Sequence, residues 1–375
     1  MAWSALGLAA TPALAQSCPA LEPVGQRSGT WLSGDLHLHS RHSLDSTHNE
    51  IAKIIAFAEG AGFGFLAITD HDNHVDGAVA DHTWADPEHG SDSLVLLYGA
   101  EFTTHRGHAN TFSAEPYDHQ ALWDARDADD AELNPLIETL GIHFSANHPE
   151  NNDPFSFSYD QVDSIEVWNS VQMTSGVTVW DDLLKSGRRI TGRGGSDSHH
   201  GAPDQGEESG SNSYERWFNY VGTPTTWVYA GDAGAPDVIA ALDSGRVSIS
   251  ANPYGPRVEL LADLDRDGVM DAAMGDAVCA HGEPVRFEAR LSGGRSEHGR
   301  RYRVTVFRNG ATWLETRTDP DTGAVVFEDT PPAGERTYYR VEINGRKDAY
   351  PGVALSRFIG GDLVAMSNPI YFNYE

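Results

Sequence analysis

Basic residues are scarce. The chain has 375 residues, and 26 Lys and Arg stand against 55 Asp and Glu, a formal net charge of −29. A deficit of that size argues against a basic face for nucleic-acid backbones or anionic membranes. It leaves anionic substrates open, because a bound metal ion can invert the charge of one cleft. Cysteine is nearly absent. Cys18 and Cys279 lie too far apart in sequence for a Cys-based zinc knuckle. They either pair in an oxidising compartment or stand as two unrelated thiols. Long apolar runs are also missing, and no stretch reaches the roughly 18 residues that a membrane span needs. The G-x-S-x-G of a serine hydrolase does not occur, and there is no internal repeat. Core-forming residues are plentiful, with 39% hydrophobic and 10% aromatic, which fits a folded chain of two or three domains. Histidine is plentiful as well: 15 of the 17 lie between His37 and His200. Imidazole is a metal ligand and proton carrier, so the skew shows where to look for chemistry.

The N-terminus carries a short apolar run that ends in Ala13-Leu14-Ala15. This A-x-A pattern resembles a secretory signal peptide over residues 1–15, although no Lys or Arg precedes Arg27. The expectation is export to a periplasm or the exterior; the alternative is an ordinary apolar tail. From residue 30 to 255, β-rich runs alternate with helical or loop segments: 31–36, 63–70 (FGFLAITD), 94–101 (LVLLYGAE), 142–147 (IHFSAN), 165–168 (IEVW), 189–197 (RITGRGGSD), 226–229 and 247–250. A helix is expected after Thr47-x-x-Glu50, read as a capping box, with Ile51, Ile54, Ile55 and Ala58 on one face. Gly60 and Gly62 supply its stop. A second helix fits residues 236–244, with Gly245 after it. Strand–helix–strand repetition implies an α/β fold with a parallel sheet or barrel. From 256 to 375 short strands separated by turn signals such as Asn309-Gly310 and Asn344-Gly345 read as a β-sandwich domain. The segment 201–213 (GAPDQGEESGSNS) reads as a polar loop, and 125–131 as a solvated acidic connection.

The first cluster is Asp35-Leu36-His37-Leu38-His39. Residues 37 and 39 of a strand share a side, so both imidazoles can reach one ion. A lone H-x-H is weak evidence, but further clusters close later strands: Asp45 just beyond the first, Asp70-His71-Asp72, Glu101 with His105 and His108, His148, and Asp197 with His199. Barrel enzymes place their chemistry at the carboxyl ends of strands, so these groups are expected to converge.

In order, the phrases DLHLHS, ITDHD, GAE, GHAN, NHP and GGSDSH resemble the polymerase-and-histidinol-phosphatase (PHP) superfamily, and GAEFTTHRGHAN, ANHPE and EVWN resemble its CehA/McbA branch. The similarity spans roughly residues 34–256. It implies a distorted (βα)7 barrel holding two or three divalent transition metal ions. His37, His39, Glu101 and Asp197 would hold the first. Glu101 would bridge to a second, also bound by His108 and His148, with His105 the rival to His108. Asp45, His71 and His199 would hold a third, Asp45 standing where several members of the family have His. The other nine of the 15 histidines have no assigned role, and Asp70 and Asp72 are expected to orient His71 or a bound water.

Mixed imidazole and carboxylate ligation suits Zn, Mn or Fe. A water shared by two such ions becomes hydroxide near neutral pH, so no side-chain nucleophile is needed. Glu101, Asp197 and Arg193 are taken as the catalytic set. Arg193, four residues before Asp197, is expected either to clamp an anionic substrate or to form an ordinary surface ion pair, and Arg106 is a second candidate. The expected function is phosphoester hydrolysis of a small molecule. The alternatives are carbamate or carboxylic ester hydrolysis, or an exported binding protein that has lost activity. Separately, Asp263, Asp265, Asp267 and Asp271 surround Gly268 in the spacing that opens an EF-hand, but Met274 replaces the final Glu. Either calcium binds there or the turn is simply solvated.

Overall fold

Among the described residues, the chain from residue 30 to 195 lays down seven strands: β1 (Thr30–Asp35), β2 (Phe65–Ile68), β3 (Val95–Thr104), β4 (Gly107–Ser113), β5 (His143–Ala146), β6 (Ser164–Asn169) and β7 (Thr191–Gly195). Every residue of β2, β5, β6 and β7 is buried, as expected of parallel strands covered on both faces. β1, β2 and β3 pair in parallel, as do β5, β6 and β7, whereas β4 runs antiparallel to both β3 and β5. The carboxyl ends of the six parallel strands therefore point to one edge. β7 also returns beside β1: Leu38 and Ser198 form a parallel bridge just past the strand ends. There His39 N donates to Ser198 O at 2.9 Å, and Asp197 N to His37 O at 2.7 Å. β8 (Thr225–Ala230) and β9 (Val247–Ser250) extend the sheet antiparallel from the other side of β1.

Helices pack around these strands. α1 (Ile51–Ala61) buries Ile51, Ile54, Ile55 and Ala58, as its periodicity predicts. Its start differs from the expected capping box: Glu50 is the N-cap residue and makes no side-chain cap hydrogen bond. Gly62 at φ 80° closes the helix in left-handed backbone and donates to Ala58 O and Glu59 O. α2 (His119–Asp124), α3 (Asp130–Leu140) and α4 (Gly176–Lys185) follow, and α5 (Ala235–Asp243) is the second expected helix.

Beyond residue 255 the regular elements of the described chain are all strands: β10 (Pro256–Asp263), β11 (Ala272–Ala273), β12 (Ala277–Val278), β13 (Val285–Gly293), β14 (Arg303–Arg308), β15 (Ala311–Arg317), β16 (Ala324–Asp329), β17 (Thr337–Asn344), β18 (Leu363–Ser367) and β19 (Ile370–Phe372). β11, β10, β13 and β16 form a separate antiparallel sheet of four strands. The others belong to the large sheet, because β18 pairs antiparallel with β9. Val258, Leu260, Phe287 and Phe327 pack with Val306, Tyr339, Val341 and Phe372 in the core between the two layers. A second core joins the two parts of the chain, with Trp180 and Ile190 against Met366 and Tyr371. Asp181 of α4 also accepts from Arg340 Nε at 3.0 Å, Arg340 Nη2 at 2.7 Å and Tyr338 Oη at 2.7 Å.

The computed structural model describes residues 21–149, 155–170, 174–199, 220–293, 301–319, 321–350 and 361–374. The segment 1–15 read as a signal peptide, Cys18, and the polar segment 201–213 lie outside the described residues. Cys279 is disulfide-bonded. No described helix is long and apolar enough to cross a membrane.

Candidate metal centre

The strand ends bring the expected groups together. His37 Nε2 lies 3.3 Å from Glu101 Oε1 and 3.4 Å from Asp197 Oδ1. His39 Nε2 lies 3.5 Å from Glu101 Oε2 and 3.2 Å from Asp197 Oδ1. Donor atoms held about 2.0–2.1 Å from a tetrahedral ion are separated by about 3.3–3.4 Å, so each of these imidazole–carboxylate pairs stands close to ligand spacing. His37 Nε2 is buried and has no hydrogen-bond partner, and Glu101 Oε2, also buried, faces His71 Nδ1 at 2.8 Å. A buried ring nitrogen without a hydrogen-bond partner is costly in a folded core unless something binds to it. The donor set thus fits a metal ion.

Two more groupings surround this one. Glu101 Oε1 is 3.1 Å from His108 Nδ1 and 3.5 Å from His148 Nε2. His71 and His199 each place Nε2 3.5 Å from Asp45 Oδ2. His39 stacks between the rings of His71 and His199, with centroids at 4.3 and 4.2 Å. Overlapping sets with all donor atoms within 4.8 Å of one another are His37–His39–Asp197, His37–Glu101–His148, His71–Glu101–His108 and His39–His71–His199. Glu101 is shared, which is the arrangement a bridging carboxylate needs. His105 stays outside: its side chain is 74% exposed and faces Asp127 at 3.8 Å.

The outward nitrogens fix the tautomers. Ser43 Oγ donates to Asp70 Oδ1 at 2.8 Å and accepts from His71 N at 3.0 Å. Its remaining lone pair is open to His39 Nδ1 at 3.2 Å. His39 therefore carries its proton on Nδ1 and turns the Nε2 lone pair inward. Thr103 Oγ1, which donates to Glu101 O, does the same for His71 Nδ1 at 2.8 Å. Beneath His37 lies Glu166, a fully buried carboxylate that sequence reasoning did not single out. It faces His37 Nδ1, and Arg193 Nη1, His148 N and Asn169 Nδ2 donate to it, all at 3.0 Å. A charged residue inside the otherwise buried strand SIEVWN was the available signal. Asn147 was also missed; its Nδ2 donates to Glu101 Oε1 at 2.9 Å.

Backbone strain supports the same geometry. His148 (φ 23°) and Asp197 (φ 52°) occupy left-handed backbone, at a cost of order 1–3 kcal/mol each. The Glu166 and His37 O contacts of their N–H groups hold them there. Gly195 tolerates no side chain, because a Cβ would stand 2.2 Å from Glu166 Oε1 and 2.5 Å from His37 Cβ.

Charge in the centre is strongly polarised. Burial would lower His37, but Asp197, Glu166 and Glu101 around it prevail and raise it to about 10. Burial, with the rings of His199 and His71, holds His39 down at about 4. Burial would raise Glu101 and Asp197, yet the surrounding imidazoles keep both well below the usual carboxylate range. Glu166 is held at about 2 against its own burial, chiefly by His37 and Arg193. The ligand carboxylates are thus anionic at neutral pH, as metal ligands must be.

Several expectations are corrected. Arg193 does not line the rim: it is fully buried and donates to Glu166, Ser145 Oγ at 2.6 Å and Asn147 Oδ1. It positions other groups and is not a substrate clamp. Arg106 donates to Ala128 O at 2.9 Å and pairs with Asp130, its guanidinium 4.3 Å from the Phe157 ring centroid. Asp70 and Asp72 act on His71 only through Ser43 and Thr103, which hold its N–H and its ring. Asp70 accepts from Ser40, Ser43 and Thr83, and Asp72 from Thr103 N and the buried His119. In the acidic turn, Asp263, Asp265 and Asp271 converge, whereas Asp267 Oδ1 turns aside to accept from Val269 N at 2.7 Å.

No family model matches the chain, and no curated protein does. Solved structures that resemble it include two metal-dependent phosphoesterase-like proteins. One is a two-domain protein containing a predicted PHP-like metal-dependent phosphoesterase from Bacteroides vulgatus, 14% identical, with a TM-score of 0.41 over 95% of this chain and 100% of that one. The other is a candidate metal-dependent phosphoesterase from Bifidobacterium adolescentis, 18% identical, with a TM-score of 0.31 over 52% of this chain and 95% of that one.

Proposed function

We propose that the chain is an exported metal-dependent hydrolase of the PHP superfamily and its CehA/McbA branch, acting on a small phosphoester. One observation carries the reading. His37 and His39 each place Nε2 3.2–3.5 Å from carboxylate oxygens of both Glu101 and Asp197, and His37 Nε2 is buried with no hydrogen-bond partner. These four would hold one ion, Glu101 with His108 and His148 a second, and Asp45, His71 and His199 a third. Zn, Mn or Fe suits such ligands. The bridge between Leu38 and Ser198 supports reading the sheet as a distorted barrel over residues 30–255. The core between the two C-terminal layers supports a β-sandwich over 256–375.

Bound divalent ions would supply a nucleophile from water at neutral pH and an electrophile for a phosphoryl oxygen. The chain's own residues prepare that chemistry. Ser43 and Thr103 hold the His39 and His71 rings in the tautomer that presents a lone pair. Glu166 strengthens the basicity of His37, as a carboxylate behind a ligating imidazole does. Asn147 fixes the Glu101 carboxylate. With Arg193 and Arg106 committed elsewhere, charge on a substrate oxygen would be met by the ions.

The test combines metal analysis of the purified full chain with assays on aryl phosphomonoester, phosphodiester, carboxylic ester and carbamate substrates. The expected result is bound transition metal and phosphoester turnover that falls at least ~100-fold in His37→Ala and Asp197→Ala, the scale on which losing catalytic electrostatics acts. Absence of transition metal, or turnover that survives both substitutions, overturns the reading. Turnover of the carbamate or carboxylic ester alone would replace the substrate class.

A further inference from the structure

We propose that Asp263, Asp265 and Asp271 form a calcium site in the turn between β10 and β11, separate from the metal centre. The three side chains each offer an oxygen, and all of these lie within 4.8 Å of one another. That spread is within reach of one ion with oxygen ligands at about 2.3–2.6 Å.

An acidic cluster alone would be a solvated turn. Asp263 makes the difference. It is 0% exposed, and its Oδ1 is buried with no hydrogen-bond partner, while Oδ2 accepts from Gly268 N at 3.0 Å. Among the described residues, none of the three carboxylates pairs with a Lys or Arg. A buried carboxylate oxygen left bare beside two other carboxylates is unfavourable twice over, by desolvation and by repulsion. A divalent cation removes both costs. The donors are all oxygen, so the ion is a hard one. Ca²⁺ suits the irregular half-loop better than Mg²⁺, which demands near-ideal octahedral geometry and keeps its waters.

The position gives the site a consequence. Val24 N donates to Met270 O at 2.8 Å, and Arg27 Nη2 to Asp271 O at 2.8 Å. Arg27 Nη1 continues to Asp276 Oδ2 at 2.7 Å. The same turn therefore fastens the N-terminal segment to the C-terminal strands, and an ion there stiffens that attachment.

The experiment is thermal unfolding of the full chain, with its transition metal content held fixed, titrated with Ca²⁺ and in parallel with Mg²⁺. Wild type is expected to gain about 3 °C when Ca²⁺ stands a hundredfold above its Kd. Asp265 is exposed, so Asp265→Asn should fold normally. In Asp265→Asn and in Asp265→Asn/Asp271→Asn the Ca²⁺-dependent gain is expected to vanish. A flat wild-type response up to millimolar Ca²⁺ overturns the proposal. So does a gain that persists in the double variant, which would place the ion elsewhere, or an equal gain with Mg²⁺.

Discussion

Replacing Glu166 with Gln keeps the side chain's volume and removes its charge. Four groups now converge on that carboxylate: His37 Nδ1, Arg193 Nη1, His148 N and Asn169 Nδ2, each at 3.0 Å. Gln offers one acceptor oxygen and turns an NH2 towards two of these donors. Arg193, fully buried, loses its only ion-pair partner among the described residues. Breaking a buried pair by removing one partner costs about 3–5 kcal/mol. Arg193 keeps its bonds to Ser145 and Asn147, so the lower end applies, about 3 kcal/mol. For a chain of this length that lowers Tm by about 4 °C. His37 loses the carboxylate behind its ring, and metal affinity should fall ~10–100-fold. Competition with a chromogenic chelator measures the affinity, and calorimetry measures the melting. A variant that binds metal as tightly as wild type and melts within about 1 °C of it would refute the role given to Glu166. Adding Arg193→Met should recover part of the lost stability, since it removes the stranded charge.

In metal-free protein, Glu166 sets part of the acid limb of stability. Its carboxyl is depressed from 4.5 to about 2, so its contribution is complete above about pH 4.5 and is lost as pH falls through about 2; Glu166→Gln should flatten that limb in acid-denaturation curves. Asp181→Ala removes two acceptors from the buried Arg340, which keeps its pair with Glu342, and the acceptor of Tyr338; it should cost about 3 kcal/mol in chemical denaturation, the lower end for a broken buried pair, while leaving kcat at 25 °C unchanged. Ser43→Ala frees the His39 tautomer and should weaken metal binding ~10-fold; it also leaves the part-buried His71 N without its acceptor, which should lower Tm by about 1–4 °C. Arg106→Met should leave KM for any anionic substrate unchanged, because the guanidinium is held by Asp130 and Ala128.

The candidate ligands were legible and their supports were not, for a physical reason. His37, His39, His148 and Asp197 lie just past the ends of β1, β5 and β7, and Glu101 lies in the buried part of β3; a polar side chain there breaks an apolar run visibly. Glu166 breaks one too, inside SIEVWN, but sequence does not show which neighbouring strand supplies its partners. Arg193 illustrates the same gap. Its distance to Asp197 along the chain was correct, yet in β7 its side chain points inward to Ser145 and Asn147, not out to the rim. Ser43 and Thr103 are ordinary hydroxyls until the chain brings their oxygens under His39 and His71. At the level of fold, α1 and α5 followed from periodicity and glycine stops. β4 did not, because GHANTFS carries ligand chemistry and weak alternation. The pairing of β18 with β9 joins segments more than 100 residues apart, and no local pattern encodes that register.

Diffraction data collected across the Mn, Fe and Zn absorption edges would test the metal centre most directly. An anomalous peak is expected about 2.0–2.2 Å from His37 Nε2, His39 Nε2 and the carboxylate oxygens of Glu101 and Asp197. A second peak is expected within the same reach of Glu101, His108 and His148. A map from metal-supplemented crystals with no anomalous density among these residues would contradict the assignment.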